Sequence, residues 1–525
     1  MDFYISVALI AVSALLSTVM SIPMIKILQL SGYKARGVIA WWKATNYDTL
    51  IRYIALMLFG VISIVVFIGC FSAFEYVRYC AAALYVILSA VFLFSAKKSG
   101  GFDAKFTGRV KRLIVAHAVL MLCIAAGIVW ATYASVYCQA LTAAFAVITP
   151  FAVIAANALM SPFERINNAK YVKRAKRKLA EKKPTVIGIT GSFGKTTAKN
   201  ILRAMLEKKY SVAATAGSFN TPMGICKTVN NELGDEKYFI AELGARHKGD
   251  IKELCDIVSP EYGIITAVGD MHLETFKTRE AVADTKFELA LALPQGGLLA
   301  LNGYNADCAA LGSRDTACEK VSTGDGEDVY YNSLRIDGSG TSFELVIDGV
   351  THSVTTSLLG AHIAELVCVC AAVAKACGVS GEDIATAVRE MPAVEHRLML
   401  LPSADPAVTV IDDAYNSNPI GAKNALDVLG HFDGKKIIIT PGFVELGAIE
   451  KECNVTLGRQ IAEVCDYAYL IGSRAADIKK GAEEGGMSDG AVCVFASRDE
   501  AVAALKDITG NKAVLFENDL PDNIK

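Results

Sequence analysis

VIGITGSFGKTTAKNILRAMLEKK, residues 186–209, reads as a short strand, a glycine turn and a helix in immediate succession. VIGIT is apolar and β-branched, AKNILRAMLEKK has helix-forming composition, and GSFGKTT lies between them. A phosphate-binding loop needs this order. Gly191 and Gly194 let backbone N–H groups close on phosphate oxygens, and the helix N-terminus adds the positive end of its dipole. Lys195 is placed to neutralise β- and γ-phosphates and the Thr196 hydroxyl to ligate Mg²⁺. Thr190, Ser192, Phe193 and Thr197 complete the segment expected to wrap the nucleotide. The usual G-x-x-x-x-G-K-[ST] spacing asks for glycine at 189; Ile189 stands there, with Gly188 one residue earlier.

Outward from the loop, strands and helices keep alternating. YFIAELGA brings Glu242 to the end of one apolar run, and YGIITAVGDMHLETF brings Asp270 and His272 to the end of another. Open parallel α/β sheets bind ligands at the carboxyl ends of their strands. A carboxylate and an imidazole arriving there suit a hard cation beside phosphates. From about 395 to 525 a smaller α/β pattern recurs, with VTVID, KKIIITPG, DYAYLIG and KAVLFEN as strands. Such a unit commonly binds a second substrate and swings onto the domain before it.

Upstream the character changes. A chain of 525 residues has room for three or four domains at roughly 150 residues each. Its hydrophobic share, 53%, is above the soluble norm, and most of the excess lies in the first third. Five stretches there reach the ~20 residues a bilayer crossing needs, near 3–24, 53–74, 77–96, 113–134 and 137–160. Basic residues crowd the first loop (Lys26, Lys34, Arg36, Lys43, Arg52) and the third (Lys97, Lys98, Lys105, Arg109, Lys111, Arg112). The positive-inside rule then puts the N-terminus outside and everything after 160 in the cytoplasm, as an integral plasma-membrane protein. Residues 161–184, SPFERINNAKYVKRAKRKLAEKKP, form a basic linker suited to anionic lipid. A formal net charge of −2 gives no reason to expect nucleic acid as a partner. The 14 cysteines contain no CxxC pair or zinc spacing and read as free thiols.

GITGSFGKTT, AELGARHKGDI, TAVGDMHLETF, AVADTKFELA, ALNGYN, EHRL and VIDDAYNSNP occur in the order found in the Mur ligases, and the chain from about 185 to 525 resembles that family. DDAYNSNP, VELG and HLETF are similar to its branch that adds D-alanyl-D-alanine. Hydropathy gives an N-terminal all-α transmembrane bundle of about five helices (1–160) and a basic linker (161–184). The resemblance implies a P-loop α/β ATP-binding domain (185–394) and a Rossmann-like α/β C-terminal domain (395–525) after them. In the family a soluble domain that grips the UDP end precedes the ATP domain; here the membrane segment is expected in its place.

The resemblance also implies roles. Lys195 and Thr196 match the family's phosphate lysine and magnesium hydroxyl; Glu242 and His272 match its metal-binding positions; Lys286 matches a lysine that several members carry as a carbamate facing magnesium. Asn302 resembles an adenine-contacting asparagine, His362 belongs to the adenine pocket, and Arg397 and Asp413 resemble residues closing over phosphates and ribose. Ile363 stands where an asparagine is common, and FNTPMGI (219–225) replaces a paired-asparagine loop. Asn220 and Thr221 are candidates for the carboxylate substrate, and Tyr415, Asn416 and Asn418 for the amine. The implied activity is ADP-forming ligation using ATP and Mg²⁺, with a muropeptide, a dipeptide and membrane lipid as partners. A polyglutamate-type ligase, a ligase acting on a lipid-linked precursor and a non-catalytic membrane scaffold are the alternatives.

Overall fold

The computed structural model describes residues 2–35, 38–39, 106–132, 144–271, 273–392, 398–403, 405–414, 419–444, 446 and 449–518. It divides into two compact units, Met1–Lys170 and Tyr171–Lys525.

The first unit holds the helices Asp2–Met20, Ile22–Leu30 and Gly108–Thr132, and the start of the helix Ala144–Lys182. In Gly108–Thr132 one stripe (Val110, Leu113, Met121, Ala125) is buried while Val115, Val119, Leu122 and Trp130 are exposed. A helix apolar on its outer face as well as its inner one suits a lipid surrounding. Ser17 and Thr149 share a hydrogen bond of 2.6 Å between their hydroxyls, and Arg112 forks onto the buried Glu164 at 2.7 and 2.9 Å.

Among the described residues, two stretches are long and apolar enough to span a bilayer, Ile10–Leu30 and Gly108–Ala131. The bundle of five expected from sequence is therefore not established. The spans near 53–74 and 77–96 lie outside the described residues. The first stretch, Ile10–Leu30, overlaps the expected 3–24; within it the chain turns at Ser21 and re-enters a helix with Pro23 in its first turn. The basic segment 161–184 is mostly helical, as part of the helix Ala144–Lys182, which runs through Pro150 and Pro162.

In the second unit, β1 (Thr185–Thr190), β2 (Val212–Ala214), β3 (Tyr238–Glu242), β4 (Tyr262–Ile265), β5 (Leu298–Asn302) and β6 (Glu319–Thr323) form an all-parallel sheet ordered β2-β3-β1-β4-β5-β6. The central strands are buried throughout, which is why they read as continuous apolar runs. Helices cover both faces. Val172, Ala175 and Leu179, at the end of the Ala144–Lys182 helix, pack on one side, and the nearly all-buried helix Ala361–Ala376 lies on the other. β7 (Val329–Asp337), β8 (Gly340–Ile347) and β9 (Val350–Thr356) add an antiparallel meander against that second face.

A second sheet is built from β10 (Met399–Leu401), β11 (Val408–Asp413), β12 (Lys435–Thr440), β13 (Tyr467–Ile471), β14 (Val492–Phe495) and β15 (Lys512–Glu517), ordered β10-β11-β15-β12-β13-β14. All its pairings are parallel except β10 with β11. In the first sheet the chain order reverses around β1, with β3 on one side and β4 on the other. This switch point opens a crevice at the strands' carboxyl ends, where the 191–194 loop sits.

Candidate active site

The loop leaves β1 through Gly191 at φ 155° and enters the helix Lys195–Glu207 through Gly194 at φ 78°. A Cβ on Gly191 would lie 2.0 Å from Thr266 Oγ1, so the tight turn against β4 requires glycine there. Gly188 serves packing instead, making room inside the sheet for Leu243 and Leu289, each of which a Cβ would meet at 3.0 Å. Thr190 and Ser192 brace the loop. Thr190 Oγ1 donates to the Leu243 carbonyl at 3.0 Å; Ser192 Oγ donates to the Gly269 carbonyl at 3.1 Å and accepts from the Gly269 N–H at 3.0 Å. Lys195 Nζ folds back onto the loop, donating to the Gly191 carbonyl at 2.7 Å.

Glu242, at the end of β3, is the buried hub of the site. Its Oε2 accepts from Thr196 Oγ1 at 2.9 Å and lies 3.3 Å from Lys199 Nζ; its Oε1 accepts from Asn220 Nδ2 at 3.1 Å; its backbone N–H donates to Thr215 Oγ1 at 3.1 Å. Lys199, to which the sequence alone drew no attention, is also buried and donates to the Gly217 carbonyl as well. Burial lowers its pKa while Glu242 pulls the other way. The available signal was spacing: Lys199 lies three residues past Thr196, on the same helix face.

Thr196 and Glu242 thus converge on one point with a cation already beside them. Hydroxyl and carboxylate oxygens fit Mg²⁺, which keeps waters and substrate phosphates as its other ligands. Among the described residues no group of three His, Cys, Asp or Glu side chains gathers to hold a metal. His272 lies outside the described residues, and Asp270 pairs with Arg279, whose Nε is 2.9 Å from its Oδ1. Lys286 is fully buried; desolvation, with the Lys195 cation adding to it, lowers its pKa to about 7. A neutral amine is therefore present at neutral pH. Thr221 caps the helix Pro222–Asn231, accepting from the Gly224 N–H at 3.3 Å, so Asn220 and Thr221 sit on the segment that carries a hydrogen-bond donor to Glu242.

Beside the loop lies a solvent-open cleft. Phe193, Gly194, Thr197, Asn302 and His362 reach it from one domain and Asp413 from the other, together with Leu358, Ile363, Leu366, Leu398 and two residues missed in sequence, Glu365 and Asn424. Asn302 donates through Nδ2 to the Thr266 carbonyl at 3.0 Å and to Glu365 Oε2 at 3.1 Å, and its Oδ1 accepts from the Tyr304 N–H at 3.1 Å. Arg397, Tyr415, Asn416 and Asn418 lie outside the described residues.

Residues 189–374 match the model of the Mur ligase middle domain and residues 396–517 that of the Mur ligase glutamate ligase domain, together more than half of the chain. The chain belongs to the Mur ligase family. Among relatives of this Mur ligase, the UDP-N-acetylmuramoyl-tripeptide–D-alanyl-D-alanine ligase of Mycobacterium tuberculosis is 36% identical over 247 residues, covering 47% of this chain and 48% of that protein. The enzyme of that name from Bacillus subtilis is 29% identical over 311 residues, covering 59% and 67%. The chain thus spans about half the length of the first curated relatives it matches. Crystal structures of MurF from Acinetobacter baumannii and of MurF from Thermotoga maritima in complex with ADP each superpose with a TM-score of 0.61 at 26% identity. They cover 67% and 68% of this chain and 77% and 81% of theirs.

At the matching end of the second sheet, Glu517 closes β15 beside Asp413 of β11. Its Oε2 accepts from Thr440 Oγ1 at 2.6 Å, while Oε1 is buried without a partner among the described residues. Burial pushes its pKa up to about 8, with Asp413 adding to the rise. The unfolded carboxyl loses its proton near 4.5, whereas the folded one holds it to about 8. Stability from this group therefore falls as pH rises between those values and is flat above. Glu517→Gln is expected to remove that slope and to stabilise the protein at pH 8.5 by about 2 kcal/mol or more. Melting temperatures of both proteins at pH 5 and 8.5 check this; parallel pH profiles would refute it.

Proposed function

We propose that this Mur ligase is a membrane-attached, ATP-dependent, ADP-forming amide ligase of peptidoglycan precursor synthesis. It joins a muropeptide carboxylate to the amine of a dipeptide of the D-alanyl-D-alanine type. One observation carries the reading: a single cleft gathers the glycine loop, Asn302, His362 and Asp413 from two domains, next to the Thr196–Glu242 pair. The names of the relatives support the choice of substrates.

A carboxylate does not accept an amine at neutral pH. ATP converts it to an acyl phosphate: a carboxylate oxygen takes the γ-phosphoryl group and the bond to ADP breaks. The amine then attacks the acyl carbon, a C–N bond forms, and phosphate and a proton leave. Lys195 and the loop amides neutralise the phosphates as they transfer, and the fixed loop places them with little reorganisation. Thr196 and Glu242, with His272, would hold Mg²⁺, which when bound supplies further charge neutralisation. The neutral fraction of Lys286 can add CO₂, releasing a proton, to give the carbamate that would make it an anionic ligand. Arg397 and Asp413 close over the nucleotide, Asn220 and Thr221 serve the carboxylate side, and Tyr415, Asn416 and Asn418 the amine side.

Membrane attachment rests on the exposed apolar side chains of the first unit, with the N-terminus outside and the two ligase domains in the cytoplasm. Exposed Lys173, Arg174, Lys176 and Arg177 suit an anionic lipid surface. The test is ADP release by the detergent-solubilised full chain with a UDP-linked muropeptide tripeptide and D-alanyl-D-alanine, run beside the lipid-linked form of the same peptide. Amide product matching ADP release is expected. ATP binding without product from either acceptor overturns the substrate assignment, and turnover of the lipid-linked form alone identifies a lipid-bound acceptor.

A further inference from the structure

Resting on the nucleotide reading above, the geometry points to Glu365 as the side chain that reads the nucleotide's base, accepting the exocyclic amine of adenine and discriminating against a purine with oxygen at that position. The cleft has apolar walls that include Leu358, Ile363 and Leu398, which suit the faces of a flat ring. Asn302 and Glu365, joined by a hydrogen bond, are among the polar side chains that line it.

The hydrogen-bond inventory decides between them. A primary amide has two N–H hydrogens. Both of those on Asn302 are engaged, one by the Thr266 carbonyl and one by Glu365 Oε2, and its Oδ1 already accepts from the Tyr304 N–H. Asn302 is thus a brace. It fixes Glu365 by one oxygen, and Oε1 of that carboxyl has no protein partner among the described residues. Held this way on the helix Ala361–Ala376, Glu365 offers an acceptor at a set position in a mostly apolar cleft. Adenine presents an N–H donor there; hypoxanthine presents O6, an acceptor, which would face a carboxyl oxygen. Sites built to pair one hydrogen-bonding group reject the analogue that leaves it unpaired.

The test measures displacement of a fluorescent ADP analogue from the full chain, with Mg²⁺, by ADP and by IDP. The parent is expected to bind ADP at least 10-fold more tightly than IDP. In Glu365→Gln, whose amide can donate to O6, the ratio should collapse to within about 3-fold with IDP binding unchanged or better. In Glu365→Ala, ADP should weaken several-fold and IDP hardly at all. Melting temperatures confirm that both variants are folded. An ADP-to-IDP ratio that survives Glu365→Gln, or equal weakening of both nucleotides in both variants, overturns the assignment and leaves Glu365 as a support for Asn302. Failure of the parent to bind either nucleotide sinks the ligase reading and this assignment with it.

Discussion

Glu242→Ala is expected to destabilise the Tyr171–Lys525 unit by about 3–5 kcal/mol and to abolish ligation together. The stability loss does not come from a missing attraction alone. Lys199 Nζ is buried, and its 3.3 Å contact with Glu242 Oε2 is its only carboxylate partner among the described residues. Removing the carboxylate leaves an ammonium that must either stay charged without a counter-ion or give up its proton, and burial already depresses its pKa. Asn220 Nδ2 and Thr196 Oγ1 lose their acceptor at the same time.

The double variant Glu242→Ala/Lys199→Met separates these causes. Methionine fills much of the lysine's volume without its charge, so the pair should recover more than about 1 kcal/mol relative to Glu242→Ala, a coupling typical of touching residues. Ligation should stay absent in both, because the oxygen proposed to hold Mg²⁺ is gone from both. Chemical denaturation of the four proteins of the cycle gives the coupling. A Glu242→Ala protein as stable as the parent would show that the charge pair carries no structural weight.

Much of this site could be read from the chain because its logic is local. Strand, glycine turn and helix follow one another within 186–209, and the parallel sheet with its switch point at β1 follows from that alternation. Where the spacing looked irregular, the reason is physical: Gly191 makes the turn, while Gly188 is a packing glycine inside the sheet. What was not legible depends on contacts far apart in sequence. Lys199 is an ordinary helix lysine until β3 folds Glu242 against it, and Glu365 is a helix glutamate until β5 brings Asn302 within 3.1 Å. Asn302 lines the cleft, but its amide hydrogens are spent on Thr266 and Glu365. The β7–β9 meander escaped notice because its half-exposed strands lack the apolar runs that mark the parallel strands. In the N-terminal third, two candidate spans stand among the described residues, and the expected spans near 53–74 and 77–96 lie outside them.

Lys195→Ala should leave the fold almost intact yet lower ADP release on the order of 10³-fold. The side chain is half-buried, and it donates to two carbonyls of its own loop, 2.7 Å to Gly191 and 3.4 Å to Ser192, bonds worth about 1 kcal/mol each. Catalysis is another matter. Charge develops on the leaving β-phosphate oxygens as the phosphoryl group transfers, and a cation on the loop stabilises that transition state more than the ground state. Nucleotide affinity should therefore fall much less than turnover, about 10-fold for ADP, because the loop amides and the base contacts remain. A second effect follows from proximity: the Lys195 cation helps hold the pKa of Lys286 near 7, so its loss raises that value and shrinks the neutral amine fraction available to add CO₂. Raising bicarbonate should then restore part of the remaining activity of Lys195→Ala, while Lys195→Arg, which keeps a cation, should show no such dependence. Equal losses in ADP affinity and in turnover would mean that Lys195 binds the ground state as strongly as the transition state, and the proposed role in phosphoryl transfer would have to be given up.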